Sequence, residues 1–310
     1  MVCVKDLNTE FAVRKSIVQP VDLPILRAHG VTLAILREDL LHPTISGNKF
    51  RKLKYNLLAA RDAGQRTLLT FGGAYSNHIA AVAAAGAAFG FSTIGIIRGD
   101  ELIDQPRNPT LSQAEADGMQ LHFVSRSDYR RKAQDDFLAD LRRRFGEFYL
   151  LPEGGTNGLA VQGCEEILSD ETHDFDVIAC AVGTGGTLAG LINTAAAHQR
   201  ILGFPAVRDP ALEGAIQQLT LQEADRKNWQ LISDYHFGGY GQVTPSLLSF
   251  IDGFSRDTGV PLEPIYGGKM LYGLMDMIIG GCFAAGTRIL AIHTGGLQGW
   301  SQVAVNDKQD

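Results

Sequence analysis

Twice in this chain a short apolar run ends in a cluster of glycines and gives way to a helical stretch. Thr67-Leu68-Leu69-Thr70-Phe71 meets Gly72-Gly73 and then an alanine-rich segment from His78 to Phe89. Asp176 to Val182 meets Gly183-Thr184-Gly185-Gly186-Thr187 and then Leu188 to Ala197. Apolar runs without polar alternation are strands buried on both faces, which is the situation of a parallel sheet covered by helices. Further strands are expected at Val31 to Glu38, Ser92 to Arg98, Met119 to Ser125, Glu147 to Leu151, Ile201 to Val207 and Arg288 to His293. Between them lie helical stretches at Pro109 to Asp117, Asp128 to Phe145, after Thr244-Pro245, and Lys269 to Ile279. Such alternation is the signature of a doubly wound α/β architecture. The chain crosses between two lobes at the glycine-rich stretch from Leu151 to Gly158, and the cleft between them is the expected ligand site.

Length and composition narrow the function. A chain of 310 residues suggests roughly two domains. Its net charge of −6 argues against nucleic acid, whose phosphates need a basic surface, and leaves small molecules as the expected ligands. Cys3, Cys164, Cys180 and Cys282 show no paired short spacing, and the start MVCVKDLNTE lacks the apolar core of a signal peptide. Reduced thiols and a cytoplasmic location are therefore expected. No apolar run suffices to cross a bilayer; Met270 to Gly281 comes nearest and reads as a buried helix. The histidines and cysteines lack metal-ligand spacing, so no metal is expected.

The glycine loops carry the chemistry. The stretch 181 to 191, AVGTGGTLAGL, places free N–H groups and a helix dipole after a buried strand, with Thr184 and Thr187 as added donors. Leu188 occupies the third position of a GxGxxG fingerprint, and GxxxxGK[ST] is absent. A lone phosphate fits better than a dinucleotide or a nucleoside triphosphate. A second loop sets Ser76, Asn77 and His78 at a helix mouth suited to a carboxylate, although capping by Ser76 or Asn77 explains it equally. A third, PEGGTNGLAVQG at 152 to 163, is a glycine-rich lead into another helix. Finally, Gly47-Asn48-Lys49 puts one lysine at the start of a helix marked by Leu53, Leu57 and Leu58, with Asn48 as a candidate cap. There the dipole and the neighbouring Arg51, Lys52 and Lys54 disfavour its ammonium form. Taken alone, the segment reads as a solvated basic helix start. Together, a reactive lysine, an isolated phosphate cradle and a carboxylate-ready loop are the parts required to use pyridoxal phosphate on an amino acid.

The residues then resemble a known family. SGNKFRKLKYNL, GGAYSNH, PEGGTNGLAVQG, GTGGTLAGL, PIYGGK and IHTGG occur in the order found in the pyridoxal-phosphate-dependent 1-aminocyclopropane-1-carboxylate deaminases and D-cysteine desulfhydrases. The resemblance covers about residue 15 to about residue 300. It implies the tryptophan-synthase-β-like fold, type II among enzymes of this cofactor: two doubly wound α/β domains with the cofactor in the cleft, and a homodimer. Residues 1–55 and 158–310 would form the larger, cofactor-binding domain and 56–157 the smaller inserted one. It assigns Lys49 as the Schiff-base lysine, Asn77 as partner of the ring 3′-oxygen, Ser76 and His78 to the substrate-carboxylate loop, and Gly183, Thr184, Gly185, Gly186 and Thr187 to the phosphate. Tyr240 and Tyr266 match the two active-site tyrosines, as acid/base groups or a nucleophile, and Thr294 lies beside the cofactor. Read singly, both tyrosines would be core aromatics.

Departures bear on the substrate. The deaminases carry glutamate where Gly267 stands and leucine where Thr294 stands; the desulfhydrases have small hydroxyl residues at both. Tyr75 replaces a usual glutamine. The resemblance thus leans toward D-cysteine, with Lys49 removing the α proton, the thiol leaving from Cβ, and pyruvate and ammonia as final products. The alternative is 1-aminocyclopropane-1-carboxylate, opened to 2-oxobutanoate and ammonia. A dehydratase or racemase of the same fold, a protein that binds the cofactor without turnover, and an apo interaction protein are the further readings.

Overall fold

A computed structural model describes residues 6–12, 15–221 and 228–300; Cys3 lies outside the described residues. In chain order the first elements are helix α1 (Leu7–Ala12), strand β1 (Val18–Val21), α2 (Pro24–Ala28), β2 (Thr32–Leu36), α3 (Asn48–Asp62), β3 (Thr67–Gly72), α4 (Asn77–Phe89) and β4 (Ser92–Arg98). Next come α5 (Pro109–Ala116), β5 (Met119–Val124), α6 (Arg126–Tyr129), α7 (Asp135–Phe145), β6 (Tyr149–Leu151), α8 (Gly158–Cys164) and β7 (Val177–Val182). The rest is α9 (Gly186–Thr194), β8 (Arg200–Pro205), α10 (Leu212–Leu219), β9 (Trp229–Leu231), α11 (Pro245–Thr258), α12 (Gly267–Ile279) and β10 (Arg288–Ile292).

The strands make two sheets, in the orders β1-β2-β10-β7-β8-β9 and β5-β4-β3-β6. Every pairing is parallel except β1 with β2. Pro20 sits in that antiparallel edge strand, where a missing N–H is tolerated. All of β7 is buried. Alternate β7 side chains serve opposite layers: Val177 and Ala179 pack with Leu271 and Leu274 of α12, whereas Ile178 and Cys180 pack with Leu188 and Leu191 of α9. In the four-stranded sheet Leu68 faces α3 and α4, while Leu69 and Phe71 face Phe137 and Leu141 of α7. Helix α3 runs unbroken across residue 55, and its Phe50, Leu53 and Leu57 join Leu41 and Ile45 in the core of this smaller sheet.

The continuous helix expected from Asp128 to Phe145 is two helices. Ser125 caps α6 by accepting from the Asp128 N–H at 3.1 Å. A second start follows at Asp135 and Asp136, whose charges favour a helix N-terminus while Arg142, Arg143 and Arg144 favour its end. Helix α9 stops at Thr194, earlier than the expected Ala197. Helix α12 is buried as read, and no helix among the described residues is long and apolar enough to cross a membrane.

Candidate active site

Parallel strands open at their carboxyl ends, where the loops leave a crevice. Here the carboxyl ends of β3, β4, β6, β7, β8 and β10 all border one cavity of about 600 Å³. Lys49, Ser76, Asn77, His78, Gly183, Thr184, Gly185, Gly186, Thr187, Tyr240, Tyr266 and Thr294 all line it.

Lys49 is the second residue of α3, and the backbone before it leaves no alternative. Gly47 is the N-cap at φ 58 and ψ −135. A Cβ there would lie 1.9 Å from the Thr294 carbonyl oxygen, so only glycine lets α3 start against the loop after β10. Asn48 is not the cap expected from its type. Its amide donates to Thr187 Oγ1 at 2.8 Å and its Oδ1 accepts from Lys49 Nζ at 2.9 Å, tying the lysine to the glycine cradle. Burial lowers the Lys49 ammonium to about 8. The expected push from Arg51 and Lys54 is absent because each has a carboxylate: Arg51 Nε is 3.0 Å from Glu38 and Lys54 Nζ 2.6 Å from Glu166.

Lys52, nearly one turn on, belongs in the sequence to the basic cluster beside Lys49 and is the next candidate for the imine. It is 3% exposed. Its ammonium donates to Gly154 O and Thr156 Oγ1, both at 2.7 Å, and to Thr184 Oγ1 at 3.4 Å. Burial, and then the charge of Lys49, lower it to about 7. Lys52 thus joins the 152–156 loop to the cradle, a long-range contact with no signature in sequence spacing. The cradle itself is packed to the backbone. Gly185 caps α9 at φ 85, and a Cβ on it would strike Ile216 at 2.6 Å; one on Gly186 would lie 2.9 Å from Thr156. Bare N–H groups at a helix start, two threonine hydroxyls and an ammonium form an anion receptor.

Across the cavity, Ser76 caps α4, its Oγ accepting from Ile79 N at 3.2 Å. Asn77 Oδ1 and His78 Nδ1 are buried with no hydrogen-bond partner, the state of groups that await a ligand. His78 Nε2 is 2.8 Å from Thr70 Oγ1, which donates to Leu151 O at 2.9 Å. The Thr70 proton is therefore committed to Leu151 O, and Nε2–H donates to Thr70. Burial and then the charges of Lys49 and Lys52 hold the ring well below its usual pKa, so it stays neutral. Tyr266 is the N-cap of α12, and its ring lies 6.0 Å from that of Tyr240 at 67°. Burial first, then Tyr240 and Glu263, push the Tyr266 phenol well above its usual pKa. Glu263, unnoticed in the sequence, is fully buried behind it. Its carboxylate accepts from the N–H groups of Ile265 (2.6 Å), Tyr266 (3.0 Å) and Gly267.

Residues 18–295 match a model of the family described as pyridoxal-phosphate dependent enzymes. The chain belongs to this family of enzymes. The glycine cradle fits that cofactor's phosphate, and Asn77, whose amide nitrogen can donate to its ring oxygen, lines the same cavity. The enzyme is 31% identical over 291 residues to a protein of Pyrococcus horikoshii named as a putative 1-aminocyclopropane-1-carboxylate deaminase, covering 89% of this chain and 87% of that one. It is 31% identical over 299 residues to the mitochondrial bifunctional D-cysteine desulfhydrase/1-aminocyclopropane-1-carboxylate deaminase of Arabidopsis thaliana, covering 87% and 74%. A solved structure of a 1-aminocyclopropane-1-carboxylate deaminase homologue superposes with a TM-score of 0.79 at 27% identity, over 99% of this chain and 98% of that one. A hydrogen sulfide-producing enzyme of Fusobacterium nucleatum shares the fold, with a TM-score of 0.68 at 15% identity, over 94% of this chain and 99% of that one. The enzyme therefore has the type II fold.

Proposed function

We propose that the enzyme converts D-cysteine and water to pyruvate, sulfide and ammonia. The carrying observation is Lys49 with its ammonium brought down to about 8, opening on a cavity between the α9 cradle and the α4 start. Bound pyridoxal phosphate supplies an electron sink for the substrate's α-carbon. Gly183 to Thr187 with Lys52 would hold its phosphate, and Asn77 and Thr294, which line the same cavity, would face its ring. The N-terminus of α4, with Ser76 and His78 at its mouth, would receive the substrate carboxylate. Once free, Lys49 takes the α proton, and a phenol from the Tyr240–Tyr266 pair is placed to protonate the leaving thiolate. Tyr266 carries its proton at neutral pH, as a phenol does, although burial makes it a weaker acid than a free one.

Ring opening of 1-aminocyclopropane-1-carboxylate to 2-oxobutanoate and ammonia is the second reading, favoured by the two phenols and by the names of the relatives. The proposal includes a division into residues 1–55 with 158–310 and an inserted 56–157, with α3 as the joint. It also includes a cytoplasmic homodimer. An exposed free Cys282 beside buried free Cys164 and Cys180 supports a reducing compartment. The test is to load the protein with pyridoxal phosphate, add D-cysteine and follow pyruvate and sulfide. Borohydride reduction should fix the cofactor on the peptide containing Lys49, and Lys49→Ala should abolish both fixation and turnover. Fixation on Lys52 instead would refute the assignment.

A further inference from the structure

Helix α12 carries one phenol of the site directly and holds the other through a side chain. Tyr266 is its N-cap. Nearly one turn later Lys269, 2% exposed, sends its ammonium to the carbonyls of His236 at 3.0 Å and Gly239 at 2.8 Å. Each of those carbonyls also closes a turn. The Gly239 N–H donates to His236 O at 3.0 Å, and the Gln242 N–H donates to Gly239 O at 3.2 Å. Lys269 therefore pins two successive turns at their shared joint, and Tyr240 is the next residue.

The segment needs such a pin. Phe237, at φ 54, is the one non-glycine residue with positive φ among the described residues. Gly238, Gly239 and Gly241 follow at φ 92, 133 and 75. Backbone of this kind persists only where its surroundings over-determine it. Tyr240 is 46% exposed, so its own packing supplies little restraint. Further ties are the Phe237 ring, 5.0 Å from Tyr272 on the same helix, the Tyr235 hydroxyl, which donates to Asp276 of that helix at 2.7 Å, the Gly238 N–H, which donates to His236 Nδ1 at 3.0 Å, and the Tyr240 ring itself against Tyr266. A buried ammonium satisfied by carbonyls, with no ion-pair partner among the described residues, is costly unless its position matters.

We infer that Lys269 is a positioning residue that sets Tyr240 beside Tyr266 over the cavity, so that one helix governs both phenols. The inference rests on the proposed placing of these tyrosines at the reaction centre. It goes beyond that reading by naming the group that holds the more exposed one.

The test compares Lys269→Met, which keeps the stem and removes the ammonium, with Lys269→Arg, which restores a cation. Hydrogen exchange of residues 236–242 is read in the apoprotein beside a urea melt. In Lys269→Met these amides should exchange roughly tenfold faster while the rest of the chain keeps its protection; Lys269→Arg should recover most of that protection. In the loaded enzyme, kcat should fall by about tenfold with a smaller change in KM, and adding Tyr240→Phe should produce little further loss. Unchanged exchange in a folded Lys269→Met protein would overturn the inference, as would losses that multiply in the double variant. If Lys269→Met does not fold, Lys269→Gln, a shorter donor, takes its place under the same criteria. A protein that binds no cofactor would refute the functional reading, yet the exchange arm would still decide whether Lys269 orders this segment.

Discussion

Replacing Lys52 by methionine separates two roles that a buried lysine can play. In the apoprotein its ammonium is held at about 7, against an ordinary value of 10.5. Between those pH values the unfolded chain carries the proton and the folded one does not, so stability rises with pH across that window. At pH 7 and below, the unmet cost of keeping the charge buried is greatest, a few kcal/mol at about 1.4 kcal/mol per pH unit. Methionine relieves that cost but leaves Gly154 O without its lysine donor and Thr156 and Thr184 bonded only to each other. The loss is about 1–3 kcal/mol. The two nearly cancel, so apo Lys52→Met should unfold within about 2 kcal/mol of wild type at pH 7, with a flatter rise of stability toward pH 10. Affinity for the cofactor should behave differently. Removing one charge-assisted bond to an anion costs about 1.5–3 kcal/mol, so pyridoxal phosphate should bind roughly ten- to a hundredfold more weakly, as read by absorbance titration. The check is a set of urea melts at several pH values beside that titration. A large loss of apo stability with undiminished cofactor affinity would show that Lys52 is a structural strut and not part of an anion receptor.

Other outcomes follow from the same contacts. Gly47→Ala combines a strained φ of 58 with a backbone overlap at Thr294 and should cost about 3–5 kcal/mol. Gly64→Ala, at φ 68 but with nothing within 4 Å, should cost only about 1 kcal/mol in the same melt. Equal losses would remove the case for a close approach at Gly47. Glu263 is pushed up from 4.5 to about 7 by burial, against the pull of its backbone donors. The folded protein therefore binds the extra proton between those values, and the contribution of Glu263 to stability, full below pH 4.5, is lost as pH rises to 7. Glu263→Gln should flatten that fall in apoprotein melts from pH 4.5 to 7; an unaltered profile would show that the carboxylate does not titrate there.

Much of the site was legible because its logic is local. A buried strand running into glycines and then a helix announces an anion site, and both such loops flank the cavity. Lys49 was visible for the same reason, although the stated cause of its lowered pKa was incomplete: burial dominates, and the neighbouring Arg51 and Lys54 are neutralised by Glu38 and Glu166. Those acids lie 13 and 112 residues away from their partners, beyond the reach of any helical spacing. Short elements escaped too. Strands β1 and β9 have four and three residues, too few for periodicity to register.

The residue that sequence comparison left unexplained, Gly267, acquires a physical reason from one that the sequence hid. Glu263 turns its carboxylate back onto the first N–H groups of α12, a place where anions are favoured. A Cβ on Gly267 would come within 3.3 Å of Glu263 Oε1. Any side chain at 267 would therefore start tightly against the carboxylate of an acid that burial already keeps partly protonated near neutrality. The chain thus braces Tyr266 with an acid from behind, and a side chain at the next position would have to displace that brace by a few tenths of an ångström. Glycine at 267 thus keeps the α12 start open to the one acid that already occupies it.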